Sequence, residues 1–149
     1  MRAVIQRVNS ASVYADGALS GSIGEGFYIL LGVAQGDERQ DAELLANKIA
    51  KLRIFSDENG KMNHALSDVS GEVMVVSNFT LLANYSHGNR PDYFYAAKPD
   101  LANELYSYFV ELLRSKEIKV ATGVFGADMR TEMSTNGPVT IVMDSGHFK

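Results

Sequence analysis

Two short apolar runs constrain this chain more than any other feature. Phe27-Tyr28-Ile29-Leu30-Leu31-Gly32-Val33 is almost continuously hydrophobic, which predicts a strand buried on both faces. Val73-Met74-Val75-Val76 forms the centre of a second and stronger strand, expected over Glu72–Leu82. Shorter signals fill in around them. Residues 2–8 read as a strand, and Ser12–Ala15 and Leu19–Ile23 flank a hairpin turn at Asp16-Gly17-Ala18. Gly24-Glu25-Gly26 is a further turn. A helix is predicted from Glu38 to Lys51, with Asp37 as cap, Gln40 at the capping-box position, and Ala42, Leu45, Ala46 and Ile49 as its apolar stripe. Arg53-Ile54-Phe55 reads as a short strand, 56–60 as a turn and Asn84–Pro91 as a loop. Pro99 suits the first position of a second helix running to Lys116, whose buried side is predicted to carry Leu101, Leu105, Tyr108, Leu112 and Leu113. Strands are expected near 117–125, 128–135 and 139–143, the last two joined through Asn136-Gly137. The sum is an α+β fold: a mostly antiparallel, barrel-like sheet with two main helices, in one domain spanning residues 1–149.

Composition narrows the functional classes. The chain has 149 residues, 46% of them hydrophobic and 21% charged, as in ordinary globular proteins. It has no cysteine, so a disulfide framework, a Cys nucleophile and a thiolate metal site are all excluded. His64, His87 and His147 lack metal-ligand spacing, and no metal or cofactor is expected. The opening Met1-Arg2-Ala3-Val4-Ile5-Gln6-Arg7 has too short an apolar run for a signal peptide, and no stretch approaches a membrane span; a cytoplasmic location is expected. Net charge is −4, whereas proteins that grip nucleic acid through phosphates carry a basic surface. Any nucleic-acid contact is therefore expected to be limited, and Lys48, Lys51 and Arg53 read most simply as a solvated face.

Two polar segments stand out from this background: Ser77-Asn78-Phe79-Thr80-Leu81 and Asn136-Gly137-Pro138-Val139-Thr140. Neither contains a His, Cys or acidic residue. A site built from them works through backbone groups and hydroxyls. Pro138 donates no N–H, and a Gly-Pro bond adopts the cis form at modest cost. Taken alone, the second segment reads more simply as an Asn-Gly turn with a trans proline opening a strand, and the amides of the first as all paired in a sheet.

Through these segments and four further blocks the chain resembles the D-aminoacyl-tRNA deacylase family. The blocks that carry the resemblance are Ile5-Gln6-Arg7-Val8 with Ser12-Val13, Arg53-Ile54-Phe55 with Gly60-Lys61-Met62-Asn63, Gly88-Asn89-Arg90-Pro91, and Phe125-Gly126-Ala127-Asp128-Met129. To these are added Ser77–Leu81, similar to the family's Ser-Gln-Phe-Thr-Leu, and its Gly-Pro-Val-Thr at 137–140. They occur in the family's order over essentially the whole chain. Asn78 departs from the usual Gln, keeping the amide with a reach one methylene shorter. Lys98, before Pro99, is a poor helix cap.

The resemblance implies hydrolysis of the ester joining a D-amino acid to tRNA, and of glycyl-tRNA, including glycine mischarged on alanine tRNA. It implies a homodimer in which the Gly-Pro loop of one subunit completes the partner's site, contact with the acceptor end of aminoacyl-tRNA, and no membrane partner. It assigns Thr80, Ser77 and Phe79 to catalysis, Phe79 through its backbone alone. It assigns Asn78, Gly137, Pro138, Met129 and Arg7 to substrate binding, with Arg7 bracing the Gly-Pro loop. A covalent Thr80 nucleophile needs a base, and none lies close in sequence. Thr80 is therefore expected to position substrate by hydrogen bonding, with the ribose 2′-hydroxyl assisting. Rival readings are a non-catalytic aminoacyl-tRNA-binding module, a deacylase of relaxed chirality and a dimeric structural protein.

Overall fold

The computed structural model describes residues 1–148. Its first strand, β1 (Arg2–Ala15), is a single long element rather than two short pieces, and it is hydrogen-bonded along both edges. On one edge β1 pairs antiparallel with β8 (Met129–Asp144). On the other it pairs first with β3 (Gly26–Gly32) and then with β2 (Ala18–Ile23), both antiparallel. β6 (Glu72–Ser77) lies parallel to β3, and β7 (Val120–Thr122) parallel to β6. The sheet curls until β2 meets β7. There the Ser20 hydroxyl donates to the Thr122 carbonyl at 2.8 Å, and a Cβ on Gly21 would stand 3.1 Å from both the Ala121 Cβ and the Thr122 oxygen. Glycine at this position lets the two strands close the barrel-like sheet. The expected α+β architecture is present, with a parallel β3-β6-β7 segment inside the mostly antiparallel sheet.

The alternation of β3 and β6 explains why both runs are apolar throughout. Phe27, Ile29, Leu31, Val73 and Val75 face the helices α1 (Arg39–Ala50) and α2 (Pro99–Arg114). Tyr28, Met74 and Val76 face inward, where they meet Val8, Ala11, Val13 and Ile23. Both sides of these two strands are therefore buried. In β1 the alternation slips by one between Val8 and Ala11, where its neighbour changes from β3 to β2. A two-stranded hairpin, β4 (Phe55–Ser56) with β5 (Met62–His64), stacks the Phe55 ring on Phe27 at 5.1 Å.

Several expectations are corrected. Glu38, not Asp37, caps α1, and Asp41 rather than Gln40 accepts from its N–H at 2.8 Å. Asp37 is occupied elsewhere: its carboxylate accepts from the Met1 ammonium at 2.8 Å and the Ala34 N–H at 2.7 Å. β7 is much shorter than 117–125. The expected strand Glu72–Leu82 stops at Ser77, and Phe79–Leu82 turns as a 3-10 helix. Its cause is Asn78, whose side-chain oxygen accepts from the Thr80 N–H at 3.2 Å and offers the backbone an alternative to the ladder. The expected strands at 128–135 and 139–143 are one strand. β8 resumes its pairing with β1 after an interruption in which Thr135 opposes Val8 and Thr140 opposes Gln6. The residues from Asn136 to Val139 thus stand opposite Arg7 alone and bulge from the ladder.

The buried side of α2 also differs from the leucine-based expectation. Leu105 and Leu113 are buried, but Tyr106, Phe109 and Val110 join them, while Leu101, Tyr108 and Leu112 are only half-buried. The Tyr106 hydroxyl donates to the Val75 carbonyl at 2.9 Å, and burial pushes its pKa up to about 12. Lys98 makes no side-chain cap, as its chemistry predicts. Replacing Phe109, fully buried between α2 and the sheet, by alanine is expected to lower stability by about 3–5 kcal/mol. Leu101→Ala is expected to cost less than about half of that. Urea unfolding of both variants tests the assignment; equal losses would restore the leucine stripe.

Candidate active site

Where β6 ends, the chain opens into a cleft of about 750 Å³. Its rim carries Ser77, Asn78, Phe79 and Thr80 from the first signature segment, faced by Tyr93 and Ala96. Its far wall is the segment Phe125–Met129, and it extends inward to Tyr28 and Thr131. A second cavity, of about 420 Å³ between 66–72 and 116–119, touches neither signature segment.

The local geometry at the rim follows from Asn78. Its N–H donates to the Leu31 carbonyl at 2.9 Å, ending the strand. Its side-chain oxygen takes both the N–H and the hydroxyl of Thr80, the latter in a short contact. The Phe79 N–H, between these committed groups, has no hydrogen-bond partner among the described residues. Phe79 itself is 55% exposed, its ring edge-on to Tyr93 with centroids 4.9 Å apart.

The shorter Asn side chain fits this turn because its oxygen folds back onto the amide two residues ahead. An amide oxygen accepts a hydrogen bond from a hydroxyl but does not deprotonate it. Asp128 is the one carboxylate lining the cleft. Deeper inside, the Tyr28 hydroxyl lies 2.9 Å from that of Thr131. Burial raises the Tyr28 pKa, partly offset by this hydrogen bond, so the phenol stays neutral at physiological pH. Among the described residues no group of three or more His, Asp or Glu converges as a metal site.

The second signature segment lies elsewhere on the same protomer. Gly137 and Pro138 are exposed, neither lines the cleft, and the bond between them is cis. Neither residue is paired in the ladder to β1. The bulge is held from below by Arg7, which is 7% exposed. Its Nε donates to the Asn136 carbonyl at 3.1 Å, Nη2 to the Asn136 side-chain oxygen at 3.4 Å, and Nη1 to the Ile54 carbonyl at 2.6 Å. Arg7 therefore sits with the Gly-Pro bulge, and Met129 with the cleft. One chain brings Thr80, Ser77, Phe79, Asn78 and Met129 together and leaves Gly137, Pro138 and Arg7 apart from them. Sequence reasoning missed Tyr93, Ala96, Tyr28 and Thr131 as lining residues. Phe125–Asp128 was visible as a motif, but without a role.

Comparison with known proteins identifies the family. A family model described as D-Tyr-tRNA(Tyr) deacylase matches residues 4–144. The chain is 54% identical over 145 residues to the D-aminoacyl-tRNA deacylase of Anaeromyxobacter dehalogenans, covering 97% of each chain. It is 53% identical to that of Bacillus pumilus over 97% of this chain and 99% of the relative. Among solved structures it superposes on a c-Myc DNA unwinding element binding protein with a TM-score of 0.90 and 38% identity, covering 97% and 98% of the two chains. A structure described as a probable eukaryotic D-amino acid tRNA deacylase gives a TM-score of 0.83 at 14% identity, covering 96% and 98%, which is likeness of fold. With the family model matched across both signature segments and relatives above 50% identity over nearly the full length, the chain belongs to the D-aminoacyl-tRNA deacylase family.

Proposed function

We propose that this chain hydrolyses the ester bond of D-aminoacyl-tRNA, releasing the D-amino acid and free tRNA in the cytoplasm, and that it also accepts glycyl-tRNA, including glycine on alanine tRNA. The observation that carries this reading is the unpaired Phe79 N–H beside a Thr80 hydroxyl committed to Asn78. Ester hydrolysis develops negative charge on the carbonyl oxygen. A preorganised N–H there contributes roughly 3–4 kcal/mol. Thr80 and Ser77 position the ester, and the ribose 2′-hydroxyl assists the attack of water. This assignment gives Thr80 no nucleophilic step, because among the described residues no base is hydrogen-bonded to it.

The second copy enters through the bulge. Gly137 and Pro138 are exposed, as is Val142 further along the same strand at 62%, and the two bulge residues stand apart from the cleft of their own chain. A twofold dimer brings the bulge of one copy into the cleft of the other. The Gly137 and Pro138 carbonyls then hold the substrate's α-ammonium. With ammonium and ester both anchored, an L side chain meets backbone, while a D side chain or a hydrogen does not. Selectivity comes from a clash built against the wrong isomer.

Matched D- and L-tyrosyl-tRNA test the central claim. Rapid loss of the D ester alone is expected. Loss of both supports the relaxed-chirality alternative, and binding without turnover supports the non-catalytic module. Thr80→Ala is expected to slow hydrolysis by about 10- to 100-fold without abolishing it; complete loss in a folded variant would make Thr80 the nucleophile.

Gly137 has φ +126°, and a Cβ there would stand 2.9 Å from the Val139 nitrogen. Gly137→Ala should therefore displace the bulge and reduce activity on every D substrate by about 100-fold. Mixing this variant with Thr80→Ala should restore activity, because one mixed dimer contains one cleft with both elements intact. A mixture no more active than its parts would show that each subunit works alone.

A further inference from the structure

We propose that Tyr85, Phe94 and Tyr95 form a stacking platform beside the cleft for the single-stranded nucleotides that precede the terminal adenosine of an aminoacyl-tRNA. The proposal rests on the deacylase reading and extends it from the ester to the nucleic acid that carries it.

The exposed aromatic surface of this protein is concentrated in one place. Tyr85 is 75% exposed, Phe94 70% and Tyr95 55%. With Phe79, every large exposed aromatic side chain among the described residues except Phe148 falls between residues 79 and 95. The rings of Tyr85, Phe94 and Tyr95 are outside the core and outside the cleft lining, so neither packing nor the reacting ester accounts for them. Their neighbours do line the cleft: Tyr93 and Ala96 flank Phe94 and Tyr95 in sequence. The patch is therefore continuous with the site.

The backbone beneath the rings is anchored. Asn84 and Asp92 exchange two backbone hydrogen bonds, each of 2.8 Å, which close the loop carrying Tyr85. The Asp92 carboxylate accepts from the Asn84 side-chain amide at 3.1 Å and from the Phe94 N–H at 3.2 Å. Gln35 donates to the Tyr95 carbonyl at 2.7 Å, and Ala97 to the Val33 carbonyl at 2.9 Å. Phe94 and Tyr95 meet edge to face with centroids 5.5 Å apart. Rings on a fixed backbone lose little freedom when a base lies against them.

Charge selects this occupant. At a net charge of −4 the protein does not draw tRNA to itself by overall charge. Aromatic stacking binds unpaired bases with little dependence on phosphate neutralisation, whereas a duplex keeps its bases stacked internally and offers the rings nothing. Two cations stand close by in sequence, Arg90 in the loop and Lys98 after the patch. Neither forms an ion pair among the described residues, so both remain available to individual phosphates.

The test compares two substrates on the full chain. One is D-tyrosyl-tRNA; the other is adenosine esterified with D-tyrosine, which has the reacting bond and no preceding nucleotide. In the variant combining Tyr85→Ala, Phe94→Ala and Tyr95→Ala, KM for D-tyrosyl-tRNA is expected to rise about 10- to 100-fold with kcat unchanged. Hydrolysis of the adenosine ester should be unaltered, which also reports that the variant is folded. Tryptophan at the three positions should restore the tRNA KM, and leucine should not. A KM change below about twofold overturns the platform, as does an equal loss on both substrates. A shift in oligomeric state overturns it too, by assigning the rings to a subunit contact. Failure of the unaltered chain to hydrolyse either substrate overturns the deacylase reading itself, and this proposal with it.

Discussion

Strand β1 is paired on both edges, and the rest of the molecule takes its register from it. Along one side β8 follows it from Arg2 to Ala15; along the other, β3 gives way to β2. A strand held this way cannot slide to accommodate extra residues in a neighbour, because a one-residue slip would turn Ala3 and Ile5 out of the core. The surplus in β8 is expelled instead, as the Asn136–Val139 bulge. Arg7 lies opposite the bulge, with its guanidinium buried. Such a group must find acceptors, and Asn136 provides two of the three oxygens it reaches. The loop that carries Gly137-Pro138 is thus fixed by the central strand of the sheet, although its tip is in solvent.

The parts of this architecture that were legible in the sequence are those decided by local pattern. The run at 27–33 announced its two buried faces, 73–76 announced a strand, and the stripe of α1 fell on Ala42, Leu45, Ala46 and Ile49 as its spacing predicted. What was not legible depends on competition or on distance. Leu81 and Leu82 made Glu72–Leu82 look like one strand, because pattern alone does not weigh a single Asn side chain against a ladder. The continuity of β8 across Asn136-Gly137-Pro138 depends on a partner strand at the other end of the chain. The face of α2 was misjudged for a related reason: Tyr106 is buried because its hydroxyl reaches the Val75 carbonyl, a contact invisible in helical spacing. The site was half legible. Its signature residues were named, but their division between cleft and bulge is a fact of topology.

Asn78 links fold to chemistry. Ending β6 at Ser77, two residues before Phe79, leaves that residue's N–H outside the ladder. The same side chain holds the Thr80 proton, so it organises the turn and restrains the hydroxyl together. On the deacylase reading this favours electrostatic stabilisation over nucleophilic attack. A general base contributes about 10²–10⁴ in rate, but only when one is positioned to act, and none is hydrogen-bonded to Thr80. One preorganised N–H contributes about 10²–10³ without any change of protonation. A Gln at this position would reach further and would not close the same short ring, so the departure from the family pattern acts on the shape of the turn more than on its chemistry.

The acidic character of the chain then becomes consistent with a polyanionic substrate. A protein that recognises a duplex by its phosphates needs a basic face, and its affinity falls steeply with salt. A protein that reads only the reacting ester, the terminal sugar and a few unstacked bases needs backbone donors, carbonyls and aromatic surface. This chain has a backbone donor and aromatic surface around one cleft: the Phe79 amide at the rim, Tyr93 against it, and three exposed rings beside it, while the Gly137-Pro138 carbonyls stand apart on the bulge. Its negative charge disfavours contact elsewhere along the tRNA. On the deacylase reading, repulsion from the body of the substrate and attraction at its end act in the same sense, since both confine recognition to the ester.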